Sequence, residues 1–245
     1  MLAGFVPSIR TRHLLPFPCS IIECDEIWSF CHAKKKNAPI AKSPPPKAGD
    51  VWTWVAVCPH TKLVPSWLVA DRSTHSAILF MKDLEARLAN RVQLTTDGHK
   101  PYLEAVEQAF GKGVDYAMLT KQYGSGNASE CTGFEKRVIE GDPDIDLIST
   151  SYIERQNLTM RMAMRRFTRK TNGFSKKIEN HAHSVALHFM HYNFIRIHQT
   201  LRCTPTMEAG ITDRLWEIDD LLELIDANAP KPNRPKTYKK RNISK

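Results

Sequence analysis

A chain of 245 residues with 42% hydrophobic and 25% charged residues is long enough for a full core, which excludes wholesale disorder and collagen-like repetition. No apolar run approaches the ~20 residues of a spanning helix, and the start, where Pro16 and Pro18 break a short run after Arg10 and Arg12, lacks the order of a secretory signal; no membrane partner and a cytoplasmic location are expected. The formal charge of +9 is concentrated: residues 231–245 carry seven Lys or Arg and residues 155–177 carry eight, neither with an acid, which points to a polyanionic partner, nucleic acid before membrane.

Ile21 to Phe30, IIECDEIWSF, is rich in β-formers and reads as a strand with Asp25 and Glu26 in its middle. Beyond the break at Pro44-Pro45-Pro46, Val51–Val57 and Leu63–Ala70 read as two more strands of an antiparallel meander. Ile78, Met81, Leu84 and Leu88 recur at three and four and predict a helix over 74–89, with Thr74 as its cap. A short strand over 92–96 ends in Asp97-Gly98, Pro101 opens a helix reaching Phe110, and 114–120 is another strand. The stretch 121–146, with Gly124, Gly126, Gly133 and Gly141 and little periodicity, reads as a long loop.

A helix is predicted over 149–171, with Ile153, Met160, Met164 and Phe167 on one side and Glu154, Asn157, Arg161 and Arg165 on another. Asn172-Gly173 ends it. Further helices are predicted over 175–201 and 212–227, followed by a Pro- and Lys-rich tail too poor in apolar residues to fold. The expected domains are an N-terminal extension (1–19), a single α/β catalytic domain with C-terminal helices (20–227) and a disordered basic tail (228–245). The six cysteines show no two-residue gap, so free thiols are expected. His181, His183, His188 and His191 have no convergent partners that would make a zinc site.

Three acids stand at telling places: Asp25 in mid-strand, Asp97 at a strand end and Glu154 near the start of the long helix. A carboxylate among apolar strand residues costs desolvation unless something pairs with it, and a divalent cation is a natural partner. Mg²⁺ takes hard oxygen ligands and is commonly held by a few carboxylates plus a substrate phosphate; two such ions serve in-line phosphoryl transfer. Each acid also has a plainer reading. Asp25 is an edge-strand acid facing water, or Glu26 replaces it as ligand after a one-residue register shift; Asp97 is a turn residue before glycine, and Ser151-x-x-Glu154 is a capping box. Asp142, Asp144 and Asp146 imitate a calcium loop, but Leu147 stands where glycine is required, so they read as solvated loop acids. Asp71 reads as a turn residue or as a group supporting the site.

The segments ECDEIWSF, TTDGHKPY, SYIERQNLTMRMAMRRFTRKTNGFSKK and HFMHYNFIRIHQTLRCTPTMEAGI resemble the DDE transposases of bacterial insertion sequences, most closely the insertion-sequence-one type, over roughly residues 20 to 212. The resemblance implies a ribonuclease H-like fold with a mixed five-stranded sheet flanked by helices. It implies Asp25, Asp97 and Glu154 as catalytic and metal-binding triad, with Mg²⁺ or Mn²⁺, two ions in all. Cleavage of double-stranded DNA at transposon ends and 3′-OH transfer into target DNA would follow, by a homo-oligomer assembled on DNA. Asn157, Arg161, Arg165, Arg169, Lys170, Lys176 and Lys177 are the expected DNA contacts. Full-length relatives carry an N-terminal DNA-binding region, whereas about 20 residues precede the first strand here; that region is expected from a fusion or a separate reading frame. A structure-specific nuclease of the same fold and a non-catalytic DNA-binding remnant are the alternatives.

Overall fold

The computed structural model describes residues 16–124, 131–168 and 171–228. The β-branched and aromatic run from Ile21 forms β1 (Ile21–Cys31), at the centre of the sheet. β2 (Gly49–Val57) pairs antiparallel with β1, and β3 (Trp67–Ala70) antiparallel with β2, completing the meander; Pro65, which cannot donate to a ladder, delays β3 to Trp67. α1 (Thr74–Glu85) then leads to β4 (Gln93–Asp97), and α2 (Pro101–Phe110) to β5 (Asp115–Tyr123). β4 is parallel to β1 and β5 is parallel to β4, as helical crossovers permit. α1 is capped by Ser73, whose hydroxyl accepts from the Ser76 N–H, one residue before the expected cap.

The sheet has six strands in the order β3-β2-β1-β4-β5-β6, one more than expected. The first five have the ribonuclease H-like arrangement. The sixth, β6 (Cys131–Glu140), lies in the stretch read as a loop and pairs antiparallel with β5 as an edge strand. Its side chains are exposed on both faces, so no alternation of apolar and polar residues marks it.

β1 has one face toward each helical layer. Glu26 meets Tyr102 of α2, whereas Glu23 and Asp25 meet α3 (Ser151–Ala163). Trp54 packs against Phe80 and Tyr102 on the first side, and Trp67 against Phe189 of α4 (Ile178–Met190) on the second.

Four predicted helices are shorter than expected, and α1 already ends at Glu85 rather than at 89. The predicted 149–171 helix stops at Ala163, where Met164 turns extended and Arg165–Phe167 forms a 3₁₀ turn. Like charges at a spacing of four, Arg161–Arg165, Arg165–Arg169 and Arg166–Lys170, disfavour its continuation, and the turn lets Phe167 bury against His181. α4 passes into a π turn, His191–Ile195, because buried Asn193 donates to Val64 O (2.8 Å) and accepts from Val64 N (3.1 Å). Short α5 (Pro205–Glu208) and α6 (Ile218–Asn228) follow; the predicted 212–227 helix begins only at Ile218. The basic tail lies outside the described residues. The four cysteines before residue 60 are buried and free, and the Cys19 and Cys58 sulfurs stand 2.9 Å apart.

Candidate active site

A cleft of about 490 Å³ opens where β4 and its ladder with β1 end beside α3, lined by Asp25, Glu26, Asp97, Gly98, Leu119, Lys121, Thr150, Glu154, Asn157 and Arg161. Cys24 pairs with Thr96 in the β1–β4 register, so Asp25 and Asp97 follow side by side. Glu26, on the opposite face of β1, reaches the same point because β4 stops there. Oxygens of Asp25, Glu26 and Asp97 lie within 4.8 Å of one another, the one group of candidate metal ligands among the described residues. Gly98 lets the chain approach Thr120 closely: a Cβ there would stand 2.9 Å from Thr120 Oγ1, which would have to shift.

The three acids are not equivalent. Glu26 is wholly buried and already satisfied: its Oε1 accepts from Arg72 Nε at 2.5 Å and its Oε2 from the Tyr102 hydroxyl at 3.0 Å. Arg72 also lies 3.8 Å from Asp97 and stacks over Trp52. Arg72→Ala is therefore expected to strand a buried carboxylate and destabilise the protein by about 3 kcal/mol in chemical denaturation.

Asp25 keeps a more open position. Its Oδ1 accepts from the Glu26 N–H (2.7 Å) and its Oδ2 from Asn157 Nδ2 (2.9 Å). Burial, then the neighbouring charges of Asp97 and Glu26, push its carboxyl up to about 7. Asp97 is raised too, chiefly by burial and then by Glu26, while its Oδ1 accepts from the His99 N–H. The turn reading of Asp97 and its place in the cluster thus hold together. Burial lowers His99, and nearby Arg72 adds to the effect.

Glu154 occupies the facing wall, outside the close cluster, where Oε1 accepts from Thr150 Oγ1 (2.8 Å) and pairs with Lys121 Nζ at 2.7 Å. Thr150, not Ser151, is the residue ahead of α3, so the capping box that was the plainer reading of Glu154 is not formed. The start of α3 is instead tied to β1 by Glu23, which the sequence reading did not single out. Glu23 Oε2 accepts from the N–H groups of Tyr152 (2.8 Å) and Ile153 (2.9 Å), satisfying two amides that a helix start leaves unpaired. Burial pushes Glu23 up to about 7 against these bonds. Its signal was its place two residues before Asp25, on the same strand face.

The expected DNA contacts separate. Asn157 is buried and holds Asp25; Arg161 is exposed at the cleft. Arg165 follows the helix break and lines a separate depression with Arg166 and Phe174. Lys176 stacks on Phe174 and Lys177 precedes α4, neither in the cleft. Arg169 and Lys170 lie outside the described residues. Asp71 accepts from Ser73 and Ser76 at the start of α1, a turn role, and Asp144 accepts from the Asp146 N–H in the loop before α3. His181 is a satisfied core residue between Ser29 and Ser175, lowered to about 4 by burial.

The fold and site define a ribonuclease H-like domain with an acid-lined cleft between the middle of β1, the end of β4 and α3. Residues 117–196 match the family model for IS1 transposase, which bears out the resemblance read from the sequence. No curated protein matches this sequence. Among solved structures, the chain is similar to the cryo-EM structure of the simian T-cell lymphotropic virus intasome in complex with PP2A regulatory subunit B56 gamma, at 14% identity and a TM-score of 0.44. The alignment covers 96% of this chain and 63% of that one.

Proposed function

We propose that this chain is the catalytic part of a DDE transposase, cutting DNA at transposon ends and joining the freed 3′ hydroxyl to target DNA. The observation that carries the reading is the cleft itself, with Asp25, Asp97 and Glu154 drawn from β1, β4 and α3, in a chain matching the IS1 transposase family over residues 117–196. Carboxylate oxygens on a polar cleft suit Mg²⁺ or Mn²⁺, and Asn157 Oδ1, buried beside Asp25 without a partner, adds a further hard donor. Asp25, Asp97 and Glu154 would hold two such ions. When bound, these would neutralise charge developing on a phosphoryl group during in-line transfer.

The chain's own residues do the rest. Asn157 fixes the Asp25 carboxylate, Arg72 and Tyr102 hold Glu26 behind it, and Glu23 sets α3 against β1. Arg161 offers a planar donor fork to a phosphate at the cleft mouth. The DNA is double-stranded, and the acting species is a homo-oligomer on DNA in the bacterial cytoplasm. Residues 20–227 form the catalytic domain in this reading, and the tail from 228 adds phosphate contacts.

The test incubates the chain with duplexes ending in the terminal repeat of its own element, Mg²⁺ and a target plasmid. Covalent joints between repeat and plasmid are expected. Cleavage without joints would assign a nuclease instead, and DNA binding without either would leave a non-catalytic remnant.

A further inference from the structure

The side of α3 turned away from the acids lines a second cavity, of about 560 Å³, bounded also by Lys62 between β2 and β3 and by the segment from Tyr192 to Thr200. Its polar wall comes from Lys62, Arg155, Gln156, Arg196 and His198, and no carboxylate lines it. Arg155 and Arg196 have no acidic partner among the described residues. Among the described residues, Lys62 is met only by the Pro59 carbonyl and by the Tyr152 ring, 3.9 Å below its ammonium. The cations crowd one another: after burial, Lys62 and Arg196 are the next causes that hold His198 below its ordinary value. Arg155 and Arg196 are exposed, so water screens part of this repulsion, and a bound counter-charge would relieve the rest.

An independent observation points the same way. Gln156 is 4% exposed, and its Nε2 has no hydrogen-bond partner. Buried amide donors are almost always satisfied, and a ligand with several acceptor oxygens in the cavity would satisfy this one after a rotation of the amide. Cations without counter-charge around an unmet donor complement a tetrahedral oxyanion.

We infer that this cavity binds a backbone phosphodiester of nucleic acid, as a positioning site across α3 from the reaction centre. That the polymer is DNA rests on the function proposed above. A helix is ~10 Å across, about three nucleotide steps of ~3.4 Å along one strand. A strand with its reacting phosphate at Glu154 therefore reaches Arg155 within a few nucleotides. Glu154 and Arg155 are sequence neighbours on diverging faces of one helix, so one strand of a duplex lying across α3 would meet both cavities.

Binding of the full chain to random duplex, without divalent metal, tests this independently of catalysis. In Arg155→Ala/Arg196→Ala, the slope of log affinity against log salt is expected to flatten by about one to two, at about 0.9 per phosphate contact, with binding about tenfold weaker near 0.1 M salt. Gln156→Glu keeps the shape, places a negative charge among the arginines and is expected to weaken binding similarly, with a melting temperature at or above that of the wild type because the cluster gains a counter-charge. Folded variants with wild-type slope and affinity, while the wild type binds DNA, would overturn this inference alone; a wild type that binds no DNA would overturn it together with the proposed function. Inorganic phosphate is the remaining probe. If it raises the melting temperature of the wild type but not of Gln156→Glu, and DNA slopes stay equal, the cavity takes free phosphate and the nucleic-acid assignment fails.

Discussion

Glu154→Gln is expected to reduce cleavage and joining by more than about 100-fold while leaving folding and metal-free DNA binding close to wild type. Even partners that only support a metal ligand cost about 10–100-fold when removed, so a ligand itself should cost more. The structural side of the exchange is small. Thr150 Oγ1 donates to Glu154 Oε1, and the oxygen of glutamine accepts that bond equally well. The lost ion pair with Lys121 involves a side chain 40% exposed, a class of contact worth about 0–1 kcal/mol. Activity and stability therefore separate: a merely structural Glu154 predicts a small change in both. Near-wild-type activity of the variant in Mg²⁺ would remove Glu154 from the site.

Asp25→Asn should have effects of opposite sign on activity and on the stability of the metal-free protein. The Asp25 carboxyl is raised from an ordinary 3.8 to about 7. A group raised on folding contributes stability that is full below its unfolded value and is lost as pH climbs through its folded value. The metal-free wild type should therefore lose stability between about pH 4 and pH 7 on account of Asp25, and Glu23, also raised to about 7, adds a loss of the same sign. At ~1.36 kcal/mol per pH unit, the Asp25 share is on the order of 2–4 kcal/mol.

The substitution removes that share. The new amide is accommodated if Asn157 turns over and presents Oδ1, which now has no partner, while the Glu26 N–H keeps its acceptor. Without metal the variant should be more stable than wild type at pH 8 and similar near pH 4. Mg²⁺ should stabilise the wild type at pH 8, with a much smaller gain for the variant, and the variant should not cut DNA. Denaturation at the two pH values, with and without Mg²⁺, decides it. A wild type more stable than the variant at pH 8 without metal would show that the site does not hold this carboxylate against its own charge.

The sequence made the central frame legible because its signals are local. Alternation and turn residues gave β1, β2, β4 and β5 within a few positions, and Pro101 marked the start of α2, which ends at Phe110 as read. β6 was invisible because an edge strand exposed on both faces has no pattern to read. The helix from Ser151 was clear, but its end at Ala163 depends on charge repulsion and on the burial of Phe167, which spacing alone does not encode. Arg161 faces the cleft and Arg165 does not, since the four-residue step holds only while the helix lasts. An acid inside an apolar strand flagged Asp25. The partners of Glu23 and Glu26 lie far away in sequence, at Tyr152 and Ile153 for one and at Arg72 and Tyr102 for the other, so their fixed roles emerge only from the fold.

β1 is bonded along both edges, to β2 from Glu23 through Cys31 and to β4 from Ile21 through Cys24. Its alternation sends Asp25 toward α3 and Glu26 toward α2. A substitution in this strand alters one contact, but a residue gained or lost ahead of Asp25 would slide two ladders and exchange the two acids between faces. β1 can therefore vary in letter but not in length. Insertions and deletions have to be absorbed beyond Cys31, where much of the 34–47 segment is exposed and His32, Ser43 and Lys47 already adopt positive φ. The spacing of the acids is kept by the parity of one strand, and change of length is pushed out to a connection that does not line the cleft.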